Sequence, residues 1–137
     1  MEAESKDLDS AAQSYEKLIR KKISSFDLMM LGMGEDGHTA SLFPHTEALY
    51  MVGRWVAPNF VPQKNTWRMT LTFECINRSK HAVLYLLGSG KAEIVEKVLF
   101  SPYMPDDLPS QRVGTISHPA TYLLDDEASR NLLSHLK

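Results

Sequence analysis

Two stretches constrain this chain more than any others: "FDLMML" at 26–31 and "HAVLYLL" at 81–87, each almost unbroken in apolar residues and each running into glycines. A strand with one wet face alternates apolar and polar residues, whereas a strand covered on both faces of a parallel sheet reads as a continuous apolar run. Both stretches have strand length, and both are followed by a turn and then helical spacing. After the first come Gly32, Gly34 and Gly37, then "HTASLF", which is predicted as a short helix closed by Pro44. After the second come "GSG" and Ala92, Ile94, Val95, Val98 and Leu99, spaced as the apolar stripe of a helix.

The rest of the chain fits the same pattern. Ala11, Ala12, Tyr15, Leu18, Ile19 and Ile23 predict an amphipathic helix over 10–23, with Ser10 and Gln13 placed as a capping box. "RWVAPNF" reads as an edge strand because Pro58 lacks a ladder donor. "WRMTLTF" alternates Trp67, Met69, Leu71 and Phe73 with Arg68, Thr70 and Thr72, predicting one packed and one polar face. "SPYMPDDLPSQ", with three prolines, reads as an irregular loop, and the tail as a short strand and a last helix capped by Asp125 or Asp126. Strands alternating with helices define an α/β class, a Rossmann-like three-layer sandwich with a mostly parallel sheet. At 137 residues, 43% of them hydrophobic, residues 1–137 are expected to form a single α/β domain or part of one.

Composition narrows the function. The formal net charge is −2 with scattered positive residues, so no footprint for nucleic acid is expected. Cys75 is the lone cysteine, which excludes an intrachain disulfide and any CxxC site and fits a reducing compartment. "MEAESKDLDS" has neither the basic nor the apolar region of a secretory signal, and no apolar run reaches about 18 residues. A cytoplasmic protein without a membrane span is the expectation.

Gly32, Gly34 and Gly37 match G-x-G-x-x-G, but a dinucleotide site also needs a long helix after the turn and an acidic residue about 20 positions on. Pro44 stops the helix early, and "APNF" at 57–60 supplies no acid. Such a turn still brings backbone amides close to an anion. Inside it lie Asp36, His38, Thr39 and Ser41. With His38 in the first turn of a helix, the positive helix end disfavours imidazolium and leaves a neutral ring able to accept a proton. Spacing leaves open whether Asp36 orients that ring or caps the helix, and whether His38 works or sits exposed. Ser41 is too close in sequence to complete a protease-like triad. His45 and His118 adjoin prolines and read as loop residues without metal-ligand spacing; Met29, Met30 and Met33 read as core filling and Cys75 as a packed side chain.

The stretch "FDLMMLGMGEDGHTASLFP" closely resembles the signature of the 6-phosphogluconolactonases. "WRMTLTFECIN", "LLGSGKAEIVEKVL", "LPSQRV" and "YLLDDEA" follow in the family's order, so the resemblance runs from about residue 8 to the tail. The related glucosamine-6-phosphate deaminases share the D-G-H core but continue toward an isoleucine and an Asn-Glu-Pro; Thr39 to Pro44 here favour the lactonase branch. The resemblance implies hydrolysis of 6-phosphoglucono-1,5-lactone to 6-phosphogluconate in the oxidative pentose phosphate pathway, with no metal or organic cofactor. It implies that His38 is the general base, that Asp36 orients or tunes it, and that amides around Gly34 and Gly37 stabilise the oxyanion. Arg68 and Lys91 match substrate-binding positions for a small phosphorylated sugar lactone. The turn before Lys91 is P-loop-like, but Tyr85 replaces its first glycine and Ala92 its Ser/Thr, which argues against a nucleotide.

Members of the family are about twice as long, and the matches cover their second half. The other half would carry the first strands and a Gly-Ser-Thr loop for the sugar phosphate, and this chain has no Gly-Gly pair. An exposed sheet edge, a homodimer or strand-exchanged oligomer, and low lactonase activity are therefore expected. A non-catalytic sugar-phosphate-binding module and an amino-sugar-phosphate deaminase or isomerase are the alternatives.

Overall fold

The computed structural model describes residues 4–135. Helix α1 (Leu8–Lys22) begins two residues before the predicted start, capped by Asp7, whose carboxylate accepts the Ser10 amide at 3.0 Å and the Ser10 hydroxyl at 2.8 Å. A carboxylate meets the positive helix end better than a hydroxyl does, and Gln13 turns instead to Asp9. The Ser10–Gln13 capping box is thus replaced.

Strands β1 (Leu28–Leu31) and β4 (His81–Leu86) are parallel neighbours, with Met29 beside Ala82 and Leu31 beside Leu84. Strand β5 (Thr121–Leu124) lies parallel on the far side of β4, giving the order β1-β4-β5. Between β1 and β4 in sequence, β2 (Val56–Val61) and β3 (Thr66–Leu71) form a separate antiparallel hairpin, with Pro58 opposite Met69. Short helix α2 (Phe73–Asn77) leads into β4; α3 (Ala92–Phe100) follows it, and α4 (Asp126–Ser129) follows β5, capped by Asp125. The fold is α/β with a parallel main sheet, as the two apolar runs require.

Two cores hold it together. Met29, Leu31, Leu84 and Leu86 meet Ile94, Val95 and Val98 of α3, together with Leu42 and Leu49 from the loop after β1. The second core joins α1 to the hairpin through Ala12, Ile19, Trp55, Val56, Met69 and Cys75. Buried Glu16 is its polar anchor: it accepts the Trp55 amide at 2.9 Å, the Val56 amide at 3.2 Å and Arg20 Nε at 2.7 Å. Burial pushes the Cys75 thiol up to about 11, which suits a packed side chain rather than a nucleophile.

Three local expectations are corrected. No helix follows Gly37: Thr39 and Leu42 form an isolated bridge and Ala40 sits at φ 51°. The polar groups of this segment bond outward instead of along a helix. Thr39 Oγ1 donates to the Gly32 carbonyl at 2.8 Å, the Ser41 amide to Thr70 Oγ1 at 3.1 Å, and Asn59 Nδ2 to the Ser41 carbonyl at 2.8 Å. On β3, Thr70 is buried while Trp67 is exposed, and Thr72, just past the strand, is buried as well; near its base the strand meets the α1 core through Met69 and the loop after β1 through Thr70. Lastly, the helices of this chain cover a single face of the parallel sheet; on the other, Leu28, Met30, Tyr85 and Leu123 are exposed by 51, 62, 50 and 48% among the described residues.

Candidate active site

The loops after β1 and β4 emerge side by side at the C-terminal ends of adjacent parallel strands, where open α/β sheets hold their ligands. The first carries the glycine motif, and its backbone is pinned from several directions. The Ser110 amide and hydroxyl both donate to the Gly37 carbonyl, at 2.9 and 2.8 Å. Gly37 has φ +78°, and an added Cβ would stand 3.0 Å from Leu108 Cδ2, so both conformation and packing require glycine there. Buried Asn59 holds the far end of the loop through the Ser41 carbonyl and, at 2.9 Å, Thr46 Oγ1.

On this frame His38 Nδ1 lies 2.5 Å from Asp36 Oδ1, which also accepts the His38 amide at 3.2 Å. The imidazole stacks on buried Phe43, with centroids 3.8 Å apart and planes 17° apart. With Nδ1 turned to the carboxylate, Nε2 is the nitrogen left for chemistry. A cleft of about 320 Å3, lined by Gly32, Met33, Gly34, His38 and Ala40, lies at this ring. The helix-end effect expected to keep His38 neutral has no helix behind it; the Asp36 contact defines the ring's surroundings instead.

Lys91, at the start of α3, reaches across from the second loop and donates to the Met33 carbonyl at 2.7 Å, on the wall of that cleft. The amide of Gly88 in the same turn bonds both oxygens of Asp125 at 3.0 Å. Arg68 of β3 holds its guanidinium 5.8 Å from the Phe43 ring and forms no ion pair among the described residues. His38 thus pairs with Asp36 over the Phe43 ring, Arg68 stands near that ring, and Lys91 is tied to Met33 on the cleft wall.

The glycine amides differ from expectation. The Gly34 N–H donates to the His38 carbonyl at 2.8 Å and the Gly37 N–H to the Gly34 carbonyl at 3.0 Å. Both close the loop on itself, and in this conformation neither is directed at an oxyanion. His45 and His118 lie outside the cleft, exposed, against Asp107 and Ser117. Phe43, Asn59 and Ser110 carry no chemical signal of their own in the sequence, although Phe43 stands inside the motif and Ser110 inside "LPSQRV".

The fold and this cleft define a class: an α/β protein with an acid–histidine pair and two nearby cations at the C-terminal edge of a parallel sheet. The model of the family described as glucosamine-6-phosphate isomerases/6-phosphogluconolactonase matches residues 1–123, and the chain belongs to that family. It is 44% identical over 120 residues to the 6-phosphogluconolactonase of Chlamydia trachomatis, spanning 86% of this chain and 46% of the relative. With the human 6-phosphogluconolactonase it shares 33% identity over 131 residues, 91% of this chain and 50% of the relative. Among solved structures, the devB protein superposes with a TM-score of 0.82 at 28% identity, over 90% of this chain and 54% of the other. The 6-phosphogluconolactonase of Trypanosoma brucei gives 0.74 at 25%, over 90% and 53%. The chain thus spans about half the length of the curated relatives it matches.

Proposed function

We propose that this chain carries the acid–base centre of a 6-phosphogluconolactonase, hydrolysing 6-phosphoglucono-1,5-lactone to 6-phosphogluconate in the cytoplasm. The observation that carries the reading is the His38–Asp36 pair, whose Nδ1 contact leaves Nε2 for the cleft. His38 Nε2 takes a proton from water as its oxygen bonds the lactone carbonyl carbon. Asp36 holds the Nδ1–H and stabilises the imidazolium that forms. The tetrahedral intermediate then collapses, the carbon–ring-oxygen bond breaks, and the imidazolium gives its proton to the departing ring oxygen, which becomes a hydroxyl of the product. Arg68 and Lys91 supply positive charge for the phosphate.

The relatives' other half has no counterpart in the stretches matched, so the isolated chain binds the phosphate weakly and turns over slowly in this reading. Its uncovered sheet face and edge favour a homodimer or strand-exchanged oligomer. The half-length match also supports a second reading, a sugar-phosphate-binding module without turnover. Lactone hydrolysis by the chain and by its His38→Ala variant tests the first reading. Loss of about 10²- to 10⁴-fold in turnover, with folding retained, is expected; an unchanged rate rejects the base role, and product binding at background turnover favours the module.

A further inference from the structure

We infer that Gly34 is a positioning residue for His38: the absence of a side chain at 34 leaves the space in which the imidazole meets Asp36. The inference rests on the base role proposed for His38. Conformational freedom is not the reason for this glycine, because Gly34, unlike Gly37, does not adopt a left-handed φ. Space is the reason. A Cβ on residue 34 would overlap Nδ1 and Cε1 of His38 outright and stand 2.7 Å from Asp36 Oδ1. Gly32, two positions earlier in the same motif, has nothing within 4 Å of its missing Cβ.

The ring has little room to retreat from such a methyl group. Phe43 closes one face at 3.8 Å and is itself 2% exposed. The Gly34 N–H to His38 carbonyl bond, 2.8 Å long, ties the two residues' backbones together, so His38 cannot back away without breaking it. A side chain at 34 therefore drives the imidazole out of its stack or away from Asp36. Without the carboxylate, a neutral imidazole is free to carry its proton on Nε2, the nitrogen that must accept one.

The test uses the chain with Gly34→Ala, Gly32→Ala, His38→Ala and the double Gly34→Ala/His38→Ala, read by imidazole nitrogen NMR and thermal unfolding. Neutral His38 in the parent and in Gly32→Ala is expected to carry its proton on Nδ1, and Gly34→Ala to lose that preference. Gly34→Ala lowers Tm by at least about 3 °C in the parent background and by a small fraction of that in the His38→Ala background, where the clashing ring is gone. Where lactone turnover is measurable, kcat falls by about tenfold or more in Gly34→Ala while KM changes little. Retention of the Nδ1 tautomer in Gly34→Ala, or an equal Tm loss in both backgrounds, overturns the inference. If Gly34→Ala alone does not fold, a folded double variant supports the inference and an unfolded one overturns it. Failure of the base role itself appears separately, as a His38→Ala variant that keeps its turnover.

Discussion

The two faces of the β1–β4–β5 sheet are built from the same alternating strands and meet different fates. On one, Met29, Leu31, Leu84 and Leu86 are each less than 9% exposed, sealed by α3 and the loop after β1. On the other, Leu28, Met30, Tyr85 and Leu123 are about half exposed or more. A parallel strand encodes two covers, one for each face, and this chain folds one of them over itself. The covered face also fixes the cleft, because the packed residues Leu42 and Phe43 belong to the segment that seats His38.

That contrast breaks if the two faces respond alike to truncation. Leu84→Ala, in the sealed core, is expected to cost about 2–5 kcal/mol, and Leu123→Ala on the open face less than about 1 kcal/mol, since half its surface already meets water. Urea unfolding of both variants measures the difference; equal losses would mean that the open face is covered in solution.

A smaller effect sharpens the contrast from the hairpin side, where α1 is held by an ionised anchor. Burial alone would raise the Glu16 carboxyl, but hydrogen bonds from Arg20 and from the Val56 and Trp55 amides outweigh it and hold the group below its ordinary 4.5. A depressed carboxyl contributes stability that is fully present above the unfolded-state value and is lost as pH falls through the folded one. Melting temperature should therefore decline as the pH drops below about 4.5, and Glu16→Gln should flatten that decline while lowering stability near neutrality. A parallel decline in the variant would remove Glu16 from the account.

The smallest effect on stability is expected at the open face itself. Met30→Glu places a charge where the side chain is already 62% exposed, so stability should change by less than about 0.5 kcal/mol. Self-association, followed by light scattering at rising concentration, should weaken. An unfolded Met30→Glu variant would contradict the open-face description.

Much of this was legible because it is local. Apolar runs ending in glycines located β1 and β4, the cap of α4 was readable as Asp125 or Asp126 and is Asp125, and Asp36 and His38 are two residues apart, within reach of each other through any tight turn. The segment after Gly37 was not legible as a loop. Its composition is compatible with a helix, and it fails to become one because Thr39 finds a partner in Gly32, just after β1, and Ser41 finds partners on the β2–β3 hairpin that the local sequence does not name. The alternation on β3 misled for a similar reason, since the hairpin packs on both of its sides near the base.

By itself the sequence determined the β4–turn–α3 unit, the left-handed turn that Gly37 permits and the closeness of an acid to an imidazole, because covalent spacing and backbone sterics act over a few residues. Tertiary structure alone decided that Lys91, 58 residues from Met33, reaches its carbonyl, that Phe43 lies beneath His38, and that the Gly34 amide closes the loop instead of facing the cleft. Those outcomes depend on which distant groups satisfy each polar atom and fill each gap, and that competition is settled when the chain packs.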